Sequence, residues 1–148
     1  MIDSKRLREI EQYFHEQIPL TRAMGVRVES YDGERLVLAA PLALNYNHIG
    51  TAFGGSLSAI ATLAGYGLLW LELGDRESHV IISKSAISFL RPVRGEIRAI
   101  CRRPAEKTLE AFRRKFARNG RARIKLGVTI EQDGETAVDF EGIFVARK

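Results

Sequence analysis

The segment from Phe53 to Leu71 contains 19 residues and no Asp, Glu, Lys or Arg, and it constrains the fold more than any other feature of the chain. Its length meets the threshold for a membrane-spanning helix. Four glycines, two serines and a threonine interrupt it, however, and no basic cluster or aromatic belt brackets both ends. A helix that is apolar on every side and does not cross a membrane is buried in a core. We therefore expect a buried central helix and no membrane span.

Amphipathic segments flank this run and predict the rest of the fold. The spacing of Leu7, Ile10 and Phe14 predicts an N-terminal helix that Pro19 ends. Alternating apolar residues predict about six strands. Four form two hairpins with turns at Asp32-Gly33 and Asp133-Gly134, one begins at residue 79 and ends just before Pro92, and one lies in residues 95–103. A further helix near residues 105–119 ends at Asn119-Gly120.

These elements define an α+β fold, because the strands are mostly antiparallel and the helices are separate from them. The 148 residues suit one domain, and we see no linker, repeat or low-complexity tract. We expect a single domain over residues 1–148, in which a long buried helix packs against a curved antiparallel sheet.

Composition narrows the classes of function. The net charge of +5 accompanies 8% aromatic residues and no basic motif with interleaved aromatics, so we expect no nucleic-acid partner. The histidines at positions 15, 48 and 79 lack metal-ligand spacing, so we expect no metal site and no cofactor. Cys101 is the only cysteine, which fits a reducing compartment, and the charged N-terminus does not resemble a secretory signal. We expect a cytoplasmic protein.

Gly54 and Gly55 lie where the apolar helix is predicted to begin. The first turn of a helix has unpaired N–H groups and a partial positive charge, and glycine lets a ligand approach them. Such an N–H can hold a carbonyl oxygen and the oxyanion that develops from it. A plain tight turn into a helix is the alternative interpretation.

The residues "NHIGTAFGG", followed by an apolar helix and later by "ISFLRPVRGE", resemble the hotdog-fold thioesterases of the phenylacetate type. The segment "APLALNYNHIGTAFGGSLSAIATLAGYGLLWLEL" is more similar still to a thioesterase subfamily found alone or fused behind an acetyltransferase domain. The resemblance covers the chain from about Pro19 to the end. It implies a long helix wrapped by a curved antiparallel sheet, and a homodimer, often paired into a tetramer, with active sites at the dimer interface.

The resemblance also implies a reaction and its residues. The substrate is an acyl thioester of coenzyme A or acyl carrier protein, which is hydrolysed to a free acid and a thiol. Asn47 is expected to position the carbonyl or the water, and Gly54 with Gly55 to polarise the carbonyl. The family's catalytic acid corresponds to Thr62 here, and the family's histidine to Phe53. Thr62 has no useful basicity and can only orient a water molecule.

Few residues are available to compensate for the missing carboxylate, because no Asp or Glu lies between residues 36 and 71. The candidates for holding water or accepting a proton are His48, Ser56, Ser83 and Ser85. We interpret Ser83 and Ser85 as lying on one strand face with Ile81, Ile87 and Phe89 and pointing inward. Four arginines are candidates for binding the phosphates of coenzyme A: Arg91, Arg94, Arg102 and Arg103.

Two functions therefore remain open. The first is an acyl-thioester hydrolase. The second is a protein that binds acyl-CoA or acyl carrier protein without hydrolysing it, which the missing carboxylate favours. A hotdog dehydratase is disfavoured, since it needs a histidine and an acid together in the site.

Overall fold

The computed structural model describes residues 2–74 and 78–148. Its strands are β1 (Arg27–Tyr31), β2 (Arg35–Ala40), β3 (His79–Phe89), β4 (Ile97–Arg102), β5 (Arg121–Gln132) and β6 (Glu135–Arg147). Its helices are α1 (Ser4–Gln17), α2 (Pro19–Ala23), α3 (Gly54–Leu73) and α4 (Glu106–Asn119), with one 3₁₀ turn at Leu42–Leu44. The six strands form one sheet in the order β1-β2-β4-β5-β6-β3, and every neighbouring pair is antiparallel. The predicted α+β class is confirmed.

Helix α3 lies in the core, where it contacts β2, β3, β4, β5 and β6. It is long and apolar enough to cross a membrane, yet most of it is buried inside the fold. Gly65 and Gly67 allow this close packing. A Cβ at Gly65 would overlap the ring of Phe144, and a Cβ at Gly67 would lie 3.0 Å from Phe14 and from Leu36. The small residues of the apolar run therefore serve to bring the sheet and α1 close to the helix backbone.

Helix α1 covers the C-terminal half of α3 with the predicted apolar stripe. Phe14 is fully buried and packs against the rings of Tyr66 and Trp70. The Asp3 side chain accepts a hydrogen bond from the Arg6 amide and so caps the helix. One detail differs from the sequence prediction: after α1 ends, Pro19 begins the short helix α2, because proline also suits the first position of a helix.

The C-terminal end of α3 is anchored by a buried carboxylate. Glu72, whose side chain is 7% exposed, accepts hydrogen bonds from Arg103 at 2.8 Å, from Tyr31 at 3.1 Å and from Arg113. Burial, together with the neighbouring Glu72 carboxylate, raises the pKa of Tyr31 to about 12, so its hydroxyl remains a donor. Glu106 also pairs with Arg103, at 2.6 Å. The cluster joins α3 to β1, β4 and α4.

Strand β3 forms one edge of the sheet, since β6 is its only partner strand within residues 2–74 and 78–148. A bulge between Ile82 and Lys84 shifts its register. The interpretation that Ile81 shares a face with Ser85 is therefore wrong. Ile81 pairs with Val145, whereas Ser85 pairs with Gly142, and successive residues of β6 point to opposite faces of the sheet.

Candidate functional site

The N-terminus of α3 presents unpaired backbone amides. Phe53 is the N-cap residue, with φ −67° and ψ 134°, and its side chain provides no capping hydrogen bond. Within the described ranges 2–74 and 78–148, the N–H groups of Gly54 and Gly55 donate to no protein acceptor. Free N–H groups at the start of a 20-residue helix carry partial positive charge and form a site for an oxygen with negative charge.

Asn47 organises the loop that leads into this helix. Its side-chain oxygen accepts hydrogen bonds from the amides of Ile49 (3.0 Å) and Thr51 (3.1 Å). Its NH₂ group donates to the Thr51 hydroxyl at 2.8 Å and, at 3.5 Å, to the Ala52 carbonyl. The side-chain amide of Asn47 thus forms its hydrogen bonds within its own loop. In this structure Asn47 fixes the backbone on the way to Gly54 and presents no free donor to a ligand.

Asn45 holds the other end of the same loop, and the sequence analysis did not identify it. It is buried, and its NH₂ group donates to the carbonyls of Met24 (2.9 Å) and Pro41 (2.8 Å). The backbone carbonyl of Asn45 accepts a hydrogen bond from the Phe53 amide at 2.7 Å, directly before α3 begins. Nothing in "LNYNH" distinguishes this buried asparagine from Asn47 two residues later.

A cleft of about 290 Å³ opens beside Gly54. Phe89 and Leu90, at the end of β3, lie on one side of it, and both are more than half exposed. The remaining lining residues come from the loop, from the first turns of α3 and from the segment after β3: Ala52, Gly54, Leu57, Arg91, Pro92 and Val93. The Gly54 amide therefore borders a largely apolar cleft, where an electrostatic contact is stronger than in open water.

Thr62 lies eight residues along α3 from Gly54, a distance of about 12 Å at about 1.5 Å per residue. Its hydroxyl donates to the Ser58 carbonyl at 2.8 Å, one turn earlier. The oxygen lone pairs stay available to accept a hydrogen bond from water. Thr62 also lines a larger cavity of about 610 Å³ between α1, α2, α3 and the start of β3.

Acidic catalytic groups are absent from both cavities within the described part of the chain. No Asp or Glu lines either one, and these residues contain no cluster of His, Cys, Asp and Glu able to hold a metal ion. His48 is exposed on the loop and lines neither cavity. Cys101 is a buried residue of β4, and burial raises the pKa of its thiol to about 12, so it cannot supply a thiolate near neutral pH.

The serine candidates are dispersed. Ser56 is half-buried in the first turn of α3. Ser83 lies at the β3 bulge, where its hydroxyl donates to the Ile143 carbonyl at 3.2 Å, and Ser85 is exposed further along the strand. None of these three lines either of the two cavities.

The structure separates the four candidate arginines into two pairs. Arg91 lines the cleft beside Gly54 and forms an ion pair with Glu135 at 3.0 Å, and Arg94 lies three residues later, before β4. Arg102 and Arg103 lie at the other end of β4, where Arg103 is bound to Glu72. Glu72 is 18 residues from Gly54 on α3, or about 27 Å. Only the first pair is near the start of the helix.

A long buried helix wrapped by one antiparallel sheet, with free amides at its N-terminus, is the hotdog architecture, as the resemblance implied. A family model described as "Putative thioesterase (yiiD_Cterm)" matches residues 7–148. The chain belongs to this thioesterase family.

Solved structures agree with the family assignment. A protein of unknown function from Chlorobaculum tepidum is 35% identical, with a TM-score of 0.89, and the match covers 95% of this chain and 93% of that one. A thioesterase from Shewanella oneidensis, described as putative, is 28% identical, with a TM-score of 0.86 and coverage of 99% and 100%. A probable thioesterase from Pseudomonas aeruginosa is 26% identical, with a TM-score of 0.81 and coverage of 95% and 94%. Family and fold support a thioesterase-type function.

Proposed function

We propose that this protein hydrolyses an acyl thioester of coenzyme A or acyl carrier protein to a free acid and a thiol. The observation that carries the proposal is the pair of unpaired amides at Gly54 and Gly55 at the start of the buried helix, where Gly54 lines an apolar cleft. Membership of a thioesterase family supports the choice of substrate.

The Gly54 amide, with Gly55 beside it, binds the thioester oxygen and stabilises the negative charge that develops on it. Water attacks the carbonyl carbon and gives its hydroxyl group to the acid, the carbon–sulfur bond breaks, and the leaving thiolate takes up the proton that the water releases to become the thiol. Thr62 accepts a hydrogen bond from the attacking water, because its own hydroxyl hydrogen is directed to Ser58. Asn47 acts as a positioning residue through the loop that it organises.

A second copy of the chain completes the site in this proposal. Gly54 and Thr62 of one chain are about 12 Å apart, too far to act on one carbonyl and its water. The edge of β3 lacks a partner strand among the described residues, and Phe53, Phe89 and Leu90 are each more than half exposed near Gly54. Unpaired edges and exposed apolar patches are typical of subunit interfaces. We infer a homodimer that brings Gly54 of one chain to Thr62 of its partner.

The expectations about the tetramer, the cellular location and the phosphate-binding arginines rest on the same proposal. We propose that two such dimers pair into a tetramer, and the free thiol of Cys101 fits a cytoplasmic location. Arg91 and Arg94 are the better candidates for the phosphates of coenzyme A, because they lie at the Gly54 end of the fold.

A thiol-release assay over a series of acyl-CoA chain lengths tests the hydrolase. We expect turnover, and we expect Thr62→Val to lower kcat by about 10², since a displaced water reacts far less often. Valine keeps the shape of threonine without the hydroxyl group. Urea unfolding of both proteins controls for stability. Unchanged kcat in a stably folded Thr62→Val variant would remove Thr62 from the mechanism.

Mixing two inactive variants tests the shared site. Gly54→Pro removes one amide and Thr62→Val removes the water contact, so each homodimer has two defective sites. After exchange of subunits, half of the dimers are mixed, and each mixed dimer contains one site with both residues intact. We expect recovery of about a quarter of wild-type activity. No recovery, with exchange verified by native mass spectrometry, would argue that each site belongs to one chain.

Binding without hydrolysis is the second candidate, and the absence of Asp and Glu from the described lining of both cavities favours it. Calorimetry that detects tight acyl-CoA binding, with the thioester intact after hours, would select this function over hydrolysis.

A further inference from the structure

The positive charge of the chain is concentrated in one segment. Residues 111–130 contain seven Lys and Arg residues and no Asp or Glu, whereas the whole chain has a net charge of +5, so the rest of the chain is slightly acidic. Arg113 pairs with Glu72, and Lys125 pairs with Glu141 at 3.5 Å. Within residues 2–74 and 78–148, the other five cations of the segment form no ion pair: Arg114, Lys115, Arg118, Arg121 and Arg123.

Three of these unpaired cations surround a cleft of about 340 Å³ between α4 and β5. Four residues separate Lys115 from Asn119, so both lie on one side of α4, and Arg121 and Arg123 alternate with buried residues on one face of β5. No acidic residue of the described chain lines the cleft. Its lining consists of Lys115 and Asn119 from α4, Arg121, Ala122 and Arg123 from β5, and Val145 from β6.

The neighbouring strand places a further positive charge beside the cleft. Arg147 of β6 lies directly opposite Arg121 in the antiparallel register. Like charges directly opposite each other on adjacent strands destabilise a sheet. Cations near the C-terminus of a helix interact favourably with its dipole, which accounts for Arg118 on α4 but not for Arg121 and Arg123 on a strand. The fold thus retains charges that oppose one another, which is typical of a functional site.

We propose that this cleft binds the phosphate chain of a soluble ligand, a diphosphate or triphosphate group. An anion with several charges would neutralise the three cations and remove their mutual repulsion. Guanidinium groups form bidentate hydrogen bonds with phosphate oxygens, and the Lys115 ammonium adds a point charge. No aromatic side chain of the described residues lines the cleft, so nothing there stacks a nucleobase. The phosphate chain itself is therefore the group that is recognised.

Calorimetry with tripolyphosphate and with inorganic phosphate, in about 0.1 M salt, tests the proposal. We expect tripolyphosphate to bind at least about tenfold more tightly, because it reaches more of the cations. The double variant Arg121→Gln with Arg123→Gln should weaken its binding by about 10², since each lost charge-assisted hydrogen bond costs about tenfold. Lys115→Gln, on the other wall, should weaken it by about tenfold and covers the case in which the double variant fails to fold.

Arg114→Gln with Arg118→Gln is the matched control. This double variant removes the same charge from the same segment, and both residues are exposed on α4 without lining the cleft. We expect less than about a threefold loss, because exposed charges more than about 10 Å apart are largely screened at this salt concentration. Equal losses in the two double variants would overturn the proposal, since they would indicate diffuse attraction by the whole segment. Binding to phosphatidylglycerol vesicles without binding to tripolyphosphate would overturn it too, because the partner would then be a membrane surface.

Discussion

Replacement of Gly54 by proline should lower kcat for thioester hydrolysis by about 10²–10³, which is the usual effect of losing one oxyanion donor. Proline removes the N–H of the first residue of α3. The backbone tolerates it, because proline suits the first position of a helix and Phe53 already has the extended conformation, with ψ 134°, that a residue before proline requires. We therefore expect a free energy of unfolding equal to or slightly above that of the wild type, measured in urea, together with the loss of activity.

Gly54→Ala is the control, since alanine retains the N–H. Its Cβ would lie 3.6 Å from the Phe89 ring, an ordinary contact, and we expect less than a tenfold loss of kcat. Wild-type activity in a stably folded Gly54→Pro protein would exclude this amide as the donor to the carbonyl.

Replacement of Glu72 by glutamine should lower the free energy of unfolding by about 2–3 kcal/mol. The amide has no charge, so the guanidinium groups of Arg103 and Arg113 lose the buried carboxylate that both contact. Urea or thermal unfolding of the two proteins measures the difference. Because Glu72 is about 27 Å from Gly54 along α3, kcat per folded molecule should not change.

Glu106→Gln is the matched control for this charge removal. Glu106 pairs with the same Arg103, yet its side chain is 56% exposed, and surface ion pairs contribute about 0–1 kcal/mol. Equal losses in the two variants would show that burial of Glu72 does not determine the strength of the cluster.

Periodicity in the sequence predicted most of the elements, because regular burial leaves a regular pattern. Helix α1, helix α4 and the strands of both hairpins lie where their apolar spacing indicated. Short or irregular features left no such pattern. The five-residue helix α2 was missed. The β3 bulge was missed as well, and because one inserted residue reverses the alternation of the side chains that follow it, Ile81 and Ser85 lie on opposite faces of the sheet.

The candidate site was only partly predictable. The residue type and spacing of Gly54 and Gly55 indicated the start of the helix, and the structure leaves their amides unpaired. Arg94 and Arg103 appeared close in the chain, but they flank β4, a six-residue strand that spans about 20 Å. Sequence proximity therefore did not predict spatial proximity.

By itself, the sequence determined that an uncharged run of 19 residues must be buried, because amphipathic strands need an apolar partner. The family resemblance added that Thr62 occupies the position of the family's acid. Only the tertiary structure decided how the polar groups are used. The Asn47 side chain is directed into its own loop, Thr62 donates to its own helix, and an apolar cavity adjoins it. The physical reason is that hydrogen-bond partners and cavities depend on packing between segments that are distant in the chain.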